Sequence, residues 1–293
     1  MAYSKDLDAR KNVVGLNIKR VICYIVLVLM AVISILPFYL LIIDSTRASV
    51  QIQGHFSLLP GHSLIGNLKG VFDPSKRDTL PIVAGMRNSF IIAAAVTFMS
   101  IYFSTLTAYA IHAFDFKLKK FMFTFILLIM MVPMQVSSLG FYRLMLQWHL
   151  IDTYWPLILP TIAAPATFYF LKQYMESSLP MEVIEAARID GSNEFNTFNR
   201  IIIPMMKPAI AVQAIFAFIT TWNNYFMPTL IINSTQKKTL PILIAQLSLP
   251  ASGEFDAGVI YCTVAIAIVP LIIVYLFLSK FIIRGIALGS VKG

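Results

Sequence analysis

Six long apolar stretches divide this chain and leave it few environments in which to fold. They are Val21–Ile43, Phe90–Ile111, Phe121–Tyr142, Tyr154–Leu171, Ala209–Ile232 and Ala257–Ser279. Each holds about 18 to 24 residues, enough to cross ~30 Å of hydrocarbon at ~1.5 Å rise per residue. A helix satisfies its own backbone in lipid, so the expected fold class is an all-α integral membrane protein with six transmembrane helices. Composition agrees: 58% of residues are hydrophobic and 13% are charged, about half the charged share of a soluble domain. The fourth stretch carries Pro156, Pro160 and Pro165 and is the least regular. The first is too long for a cleavable signal and runs into Asp44, Ser45, Thr46 and Arg47, which reads as a helix exit.

Charge sets the expected orientation. With the N-terminus inside, the inner segments hold Lys5, Arg10, Lys11, Lys19, Arg20, Lys117, Lys119, Lys120, Lys172, Arg188, Arg200, Lys207, Lys280, Arg284 and Lys292, which is 15 of the 23 basic residues. Both termini are then cytoplasmic. The outer segments set Arg47, Lys69, Lys76, Arg77, Arg87, Arg143, Lys237 and Lys238 against Asp44, Asp73, Asp78, Asp152, Glu254 and Asp256. That small excess tolerates an acidic ligand without demanding one. The net charge of +9 follows from the inner bias and implies no nucleic-acid partner.

The chain reads as a tail at 1–20, a first span with a long outer loop at 21–82, a five-helix core at 83–280 and a tail at 281–293. The loop from Asp44 to Ser89 is too long for a plain connector and is expected to fold over the outer face or meet a partner. Cys23 and Cys262 lie inside apolar stretches, which excludes a disulfide framework.

One segment breaks the apolar pattern. Glu185–Pro208, EAARIDGSNEFNTFNRIIIPMMKP, is polar and mixed in charge, and it lies between two spans on the inner side. Pro180 suits the first turn of a helix and Glu182 and Glu185 its positive end. Ala186 and Ala187 give that helix a smooth face, and Gly191 stands where a left-handed cap is cheapest. Ser192 is a fair N-cap for a second helix, Asn193–Arg200, with Phe198, Ile201 and Ile203 as its apolar stripe. Pro204 and Pro208 break the chain before the next span. Taken alone, this elbow is either a hairpin that joins two spans or a contact surface for another protein.

The order Glu185, Ala186, Ala187, Asp190, Gly191, Ser192, Phe198, Ile201, Ile203, Pro204, Pro208 resembles the EAA loop of bacterial ABC importer permeases. Ser57–Pro60, Arg87–Ser89, Met131–Pro133 and Thr221–Asn224 resemble carbohydrate-importer permeases, and the ending Arg284–Gly293 resembles the MalG branch of the maltose-importer family. Ile203 stands where leucine is commoner and Asn224 where an acidic residue is frequent.

The resemblance implies a type I ABC importer permease in the bacterial inner membrane. Its partners would be a second homologous permease, two cytoplasmic ATPase subunits that hold ATP and Mg, and an extracytoplasmic binding protein. An oligosaccharide is the implied substrate, with a leaning towards an acidic one such as alginate. Glu185, Ala186, Ala187, Arg188, Asp190, Gly191 and Pro204 would form the contact with the ATPase, joined by Arg284 and Lys292 from the tail.

No resident chemistry competes with this reading. Gly61–Asn67 is the nearest approach to a phosphate-binding loop, and asparagine replaces its lysine. His55, His62, His112 and His149 have no metal-ligand spacing. The chain is therefore expected to bind no cofactor or metal and not to be an enzyme. Trp222, Asn223, Asn224 and Tyr225 fall about 22 Å along a helix from Pro208. They are read either as a substrate path, with Gln135 and Gln213, or as polar glue between helices. A secondary transporter and a non-transporting scaffold are the alternatives in function.

Overall fold

The computed structural model describes residues 2–73, 75, 80–248 and 256–289, with side chains from Arg20 to Phe281 among these. Asp78, Glu254, Lys292 and the side chains of Lys5, Arg10, Lys11, Lys19, Lys76, Arg77 and Arg284 lie outside this set. The described residues hold no strand. The helices are α1 (Ala2–Ser45), α2 (Ser49–Gly54), α3 (Leu64–Val71), α4 (Ile82–Ala113), α5 (Lys119–Met130), α6 (Met134–Gln147), α7 (Trp155–Ile158), α8 (Pro165–Ser178), α9 (Met181–Ile189), α10 (Glu194–Thr197), α11 (Ile203–Met205), α12 (Lys207–Trp222), α13 (Phe226–Ile231), α14 (Leu240–Leu247) and α15 (Ala257–Gly289).

Three of them are long and apolar enough to cross a membrane: α1 over Arg20–Ser45, α4, and α15 over Ala257–Phe281. The count reaches five if two bent pairs are each one span. The expected third span is one such pair, α5 and α6, which meet at 95°. Pro133 stands immediately before α6, where it cannot continue the preceding ladder. The expected fourth span, Tyr154–Leu171, is not one helix. Pro156 opens α7, Pro160 sits in the 3-10 turn Leu159–Ile162, and Pro165 opens α8. The expected fifth ends its helix at Trp222 and resumes as α13.

Two compact units are formed: Met1–Val71 with Asp256–Ala265, and Phe72–Phe255 with Ile266–Gly293. In the first, nearly all of the apolar stretch of α1 is exposed, with Ile43 buried at its end, as a lipid-facing or partner-facing helix requires. The chain leaving α1 is tightly held. Arg47 is 6% exposed; its guanidinium meets Asp44 at 2.9 Å and donates to the carbonyls of Gln51 and His55. The Asn67 amide donates to the carbonyls of Ser45 and Arg47 at 2.8 and 2.9 Å. A Cβ at Gly258 would stand 2.7 Å from the Asn67 side chain and 2.8 Å from the Arg47 carbonyl. Only glycine admits that approach. Arg47 is thus an internal tie and not the surface charge expected.

In the second unit α4 runs between α8 and α12. Its buried Ala93, Ser100, Ser104, Thr105 and Ala108 are small and let neighbouring backbones come close. A core of Tyr109, Phe168, Leu171, Met175, Ile184, Phe198, Ile202 and Met206 forms where α4, α8 and α9 meet the segment 198–206.

Candidate functional site

The elbow is two short helices around a glycine turn. Helix α9 begins after Pro180, which is extended at φ −64° and ψ 141° and so precedes the first turn instead of lying in it. Ile184 and Ala187, three residues apart, are buried. Glu185, Ala186, Arg188 and Asp190 face outward, and Ile189 is 86% exposed. Half of the expected alanine face therefore packs inward and cannot meet a partner.

The turn is a Schellman cap. The N–H of Ser192 donates to Ala187 and that of Gly191 to Arg188, at 2.9 and 3.0 Å. Gly191 has φ +77°, a conformation that costs an L-residue ~1–2 kcal/mol. The next helix is capped by Asn193 and not by Ser192: the Asn193 side chain accepts from the Asn196 N–H at 2.8 Å. The helix expected over Asn193–Arg200 is present and runs on to Met205, with a wide π turn at Phe198–Ile202 inside it. Pro204 lies within α11 and is exposed. The 80° bend falls next to it, between α11 and α12, with Pro208 in the first turn of α12.

Side chains lock this elbow to α4. Glu194 accepts from the Tyr109 hydroxyl at 2.5 Å and from Arg188 Nε at 2.8 Å. The Arg188 guanidinium lies 5.0 Å from the Phe114 ring centroid. The Phe198 ring meets Tyr102 at 5.5 Å and Tyr109 at 5.7 Å. Arg188 thus has an internal task. Outside remain Glu185, Ala186, Ile189, Asp190 and Gly191, with Phe195 at 71% exposure. Sequence reasoning passed over Ile189 and Phe195. Their signal was present, since both are apolar residues inside an otherwise polar segment.

The expected substrate-path residues do not form one group. Trp222 is 3% exposed and stacks on Phe218 at 5.8 Å, so it is a packing residue. The Asn223 amide donates to the Ile219 carbonyl at 2.9 Å, and Tyr225, Asn223 and Gln135 are exposed. Gln213 is half-buried on α12. Asn224 alone of the six lines the partly open cavity of about 200 Å³ in this unit.

A further tie joins the connector after α6 to the segment before α14. Asp152, at φ +62°, accepts from the N–H groups of Asn233 and Ser234, from the Ser234 hydroxyl and from Lys237 Nζ at 2.9 Å. Burial opposes its ionisation, but the hydrogen bonds from Ser234, Lys237 and Asn233 outweigh it and hold the carboxyl well below the ordinary range. A depressed carboxyl contributes stability that is complete above its unfolded pKa of about 4, declines below it, and is gone once pH has fallen through the lower folded value. The Tm advantage of the unmodified chain over Asp152→Asn should therefore stay level from about pH 8 to pH 5 and shrink below about pH 4. An advantage already shrinking between about pH 7 and pH 5 would contradict this assignment.

Broken apolar helices around a largely apolar cavity, with a polar elbow between them, fit a membrane-embedded protein. The chain belongs to the family described as binding-protein-dependent transport system inner membrane component, which matches residues 100–288. It is 33% identical over 273 residues to the arabinooligosaccharides transport system permease protein AraQ of Halalkalibacterium halodurans, covering 90% of this chain and 93% of that one. It is 31% identical over 279 residues to the trehalose/maltose transport system permease protein MalG of Thermococcus litoralis, covering 94% and 98%. A solved bacterial ABC transporter involved in the import of the acidic polysaccharide alginate shares the fold, with a TM-score of 0.78 at 20% identity over 90% of this chain and 96% of that one.

Proposed function

We propose that this chain is one of two paired permease subunits of an ATP-driven importer of oligosaccharides, worked by two cytoplasmic ATPase subunits and fed by an extracytoplasmic binding protein. The observation that carries the reading is the elbow. Its inner side is fixed to α4 by Glu194 and Phe198, while its outer side presents Ala186, Ile189 and Phe195 around the Gly191 turn. Exposed apolar side chains grouped on a polar segment fit a contact surface. A force applied there reaches α4 without being absorbed by a loose loop. Glu185 and Asp190 give that surface a negative rim.

The excess of basic residues on the inner segments supports a cytoplasmic elbow and cytoplasmic termini. ATP and Mg would be held by the ATPase subunits, since the sequence carries no phosphate-binding loop. In this reading the tail residues Arg284 and Lys292 make a second contact with the ATPases. The sugars named for the relatives favour an oligosaccharide substrate over the ions or amino acids of other transporters. The acidic substrate of the solved neighbour supports alginate-like cargo only through shared fold.

Ala186→Trp tests the docking surface. The indole should collide with whatever seats on this face and weaken recovery of the ATPase with the membrane subunits by roughly tenfold, equivalent to ~1.4 kcal/mol. Unchanged co-purification would remove Ala186 from the interface.

A further inference from the structure

The loop that leaves α1 folds back along it. Arg47 donates to the carbonyls of Gln51 and His55 on the way out. On the return, the Gly61 N–H donates to Thr46 Oγ1 and the Ser63 N–H to the Thr46 carbonyl, each at 2.8 Å. Between these fastenings the strap Phe56–Pro60 descends beside the helix, where the Tyr39 hydroxyl donates to the Leu58 carbonyl at 2.7 Å. Tyr39 precedes Ser45 by about 9 Å of helix rise. The candidate span Arg20–Ser45 has 26 residues, which makes about 39 Å against ~30 Å of hydrocarbon. Centred on the bilayer, it puts Ser45 about 4–5 Å outside the hydrocarbon and Tyr39 about as far inside. Leu58 therefore lies at the boundary of the acyl chains and not in bulk water.

Three properties of the strap fit that depth. Its apolar side chains have no cover, with Phe56 78% and Leu59 74% exposed. No Asp, Glu, Lys or Arg occurs between Arg47 and Lys69, although about a quarter of the residues in a soluble domain are charged. Its backbone also needs little water. The Leu58 carbonyl is met by Tyr39, the Leu59 N–H and carbonyl by Ser57 Oγ, and the Gly61 N–H by Thr46, while Pro60 has no N–H. Irregular backbone beside lipid requires such internal partners.

We propose that Phe56–Pro60 is an interfacial anchor. Its Phe56, Leu58 and Leu59 side chains enter the phospholipid leaflet at the Ser45 end of α1, which is the outer one in the orientation proposed above. Interfacial segments bury apolar side chains ~5–10 Å into the boundary of headgroups and acyl chains, and here that burial fixes the height of α1 in the bilayer. The anchor requires α1 to be a span and is independent of the importer reading. A second permease is the competing occupant. Tyr24–Met30 are exposed without a break, so every side of α1 is free there, and one protein partner covers only one side. Protein interfaces also carry about one hydrogen bond per 100–200 Å², whereas this strap directs its backbone groups at α1 and at itself.

The test replaces Phe56, and separately Leu59, with the photoreactive amino acid p-benzoylphenylalanine. Each variant is irradiated within the intact assembly of permeases and ATPases, in nanodiscs of phosphatidylcholine and phosphatidylglycerol. Mass spectrometry then reads what has been joined to this chain. The main product at position 56 should be the chain carrying the mass of one phospholipid, and the same is expected at position 59. A main product joined to the second permease would assign the strap to a protein interface and overturn the anchor. Absence of any adduct at position 56 would place the strap in water and overturn it equally. The exchange at position 56 keeps an aromatic ring, so that variant decides the outcome if the one at position 59 fails to assemble.

Discussion

Phe198→Ala is expected to cost about 3 kcal/mol of stability, the lower end of the range for a buried aromatic truncated to alanine. Phe198 is 1% exposed and fills the space between the Tyr102 and Tyr109 rings of α4. Lipid removes part of the transfer contribution, but the lost van der Waals contacts of an unfilled cavity remain. The functional effect should exceed the thermal one. With the wedge gone, the elbow would keep the Glu194 contacts, the Tyr102–Asn199 hydrogen bond and the packing of Ile184 and Ile202, and motion at Ile189 and Phe195 would be passed to α4 less directly. ATP consumed per sugar imported should rise several-fold while the ATPase stays bound. Phe198→Leu, which keeps most of the volume, should retain more coupling than alanine does. A Phe198→Ala assembly with lower Tm and unchanged stoichiometry would show that the wedge stabilises the fold but does not transmit.

Gly191→Val should disable the same lever at its turn. A Cβ at this glycine would meet no neighbour within 4 Å, so the penalty is conformational and not steric. At φ +77° it amounts to ~1–2 kcal/mol for an L-residue, and a β-branched side chain fits this region worst. The chain would relieve the strain by opening the Schellman cap. That releases the carbonyls of Ala187 and Arg188 and reorients Ile189 relative to Phe195. Uptake is expected to fall by roughly tenfold or more, with basal ATP hydrolysis preserved. Gly191→Asn, which tolerates the left-handed region, should be the milder variant. Normal uptake by the valine variant would exclude the turn from coupling.

The elbow was legible because its signals are local. Gly191 was placed in a left-handed cap from its position after a helical run, and the structure has it there. The helix boundaries were less secure. Asn193 caps α10 in place of Ser192 because either side chain can serve and only the backbone geometry selects one. The inward turn of Ala187 was not visible, since a short polar helix shows no face until something packs against it. Glu194, Arg188 and Tyr109 were beyond reach for another reason: Tyr109 lies 85 residues from Glu194 in sequence. Trp222 failed as a path residue because an aromatic near polar neighbours reads the same whether it faces a cavity or stacks on Phe218.

By itself the sequence determined the solvent, the helical class and the one segment built to be exposed. Apolar length, proline position and charge bias act over a few residues or a single span, and each has a direct energetic meaning in lipid. It could not determine where the helices break, nor which polar groups those breaks bring together. Pro156, Pro160 and Pro165 announced irregularity in the fourth stretch but not its direction, and the break at Pro133 was not expected. Only the packed structure joined α5 and α6 at 95° and brought Asn224 and Thr239 to the lining of one cavity. Such groupings depend on residues far apart in the chain, whose meeting is fixed by the sum of the packing and not by any one local preference.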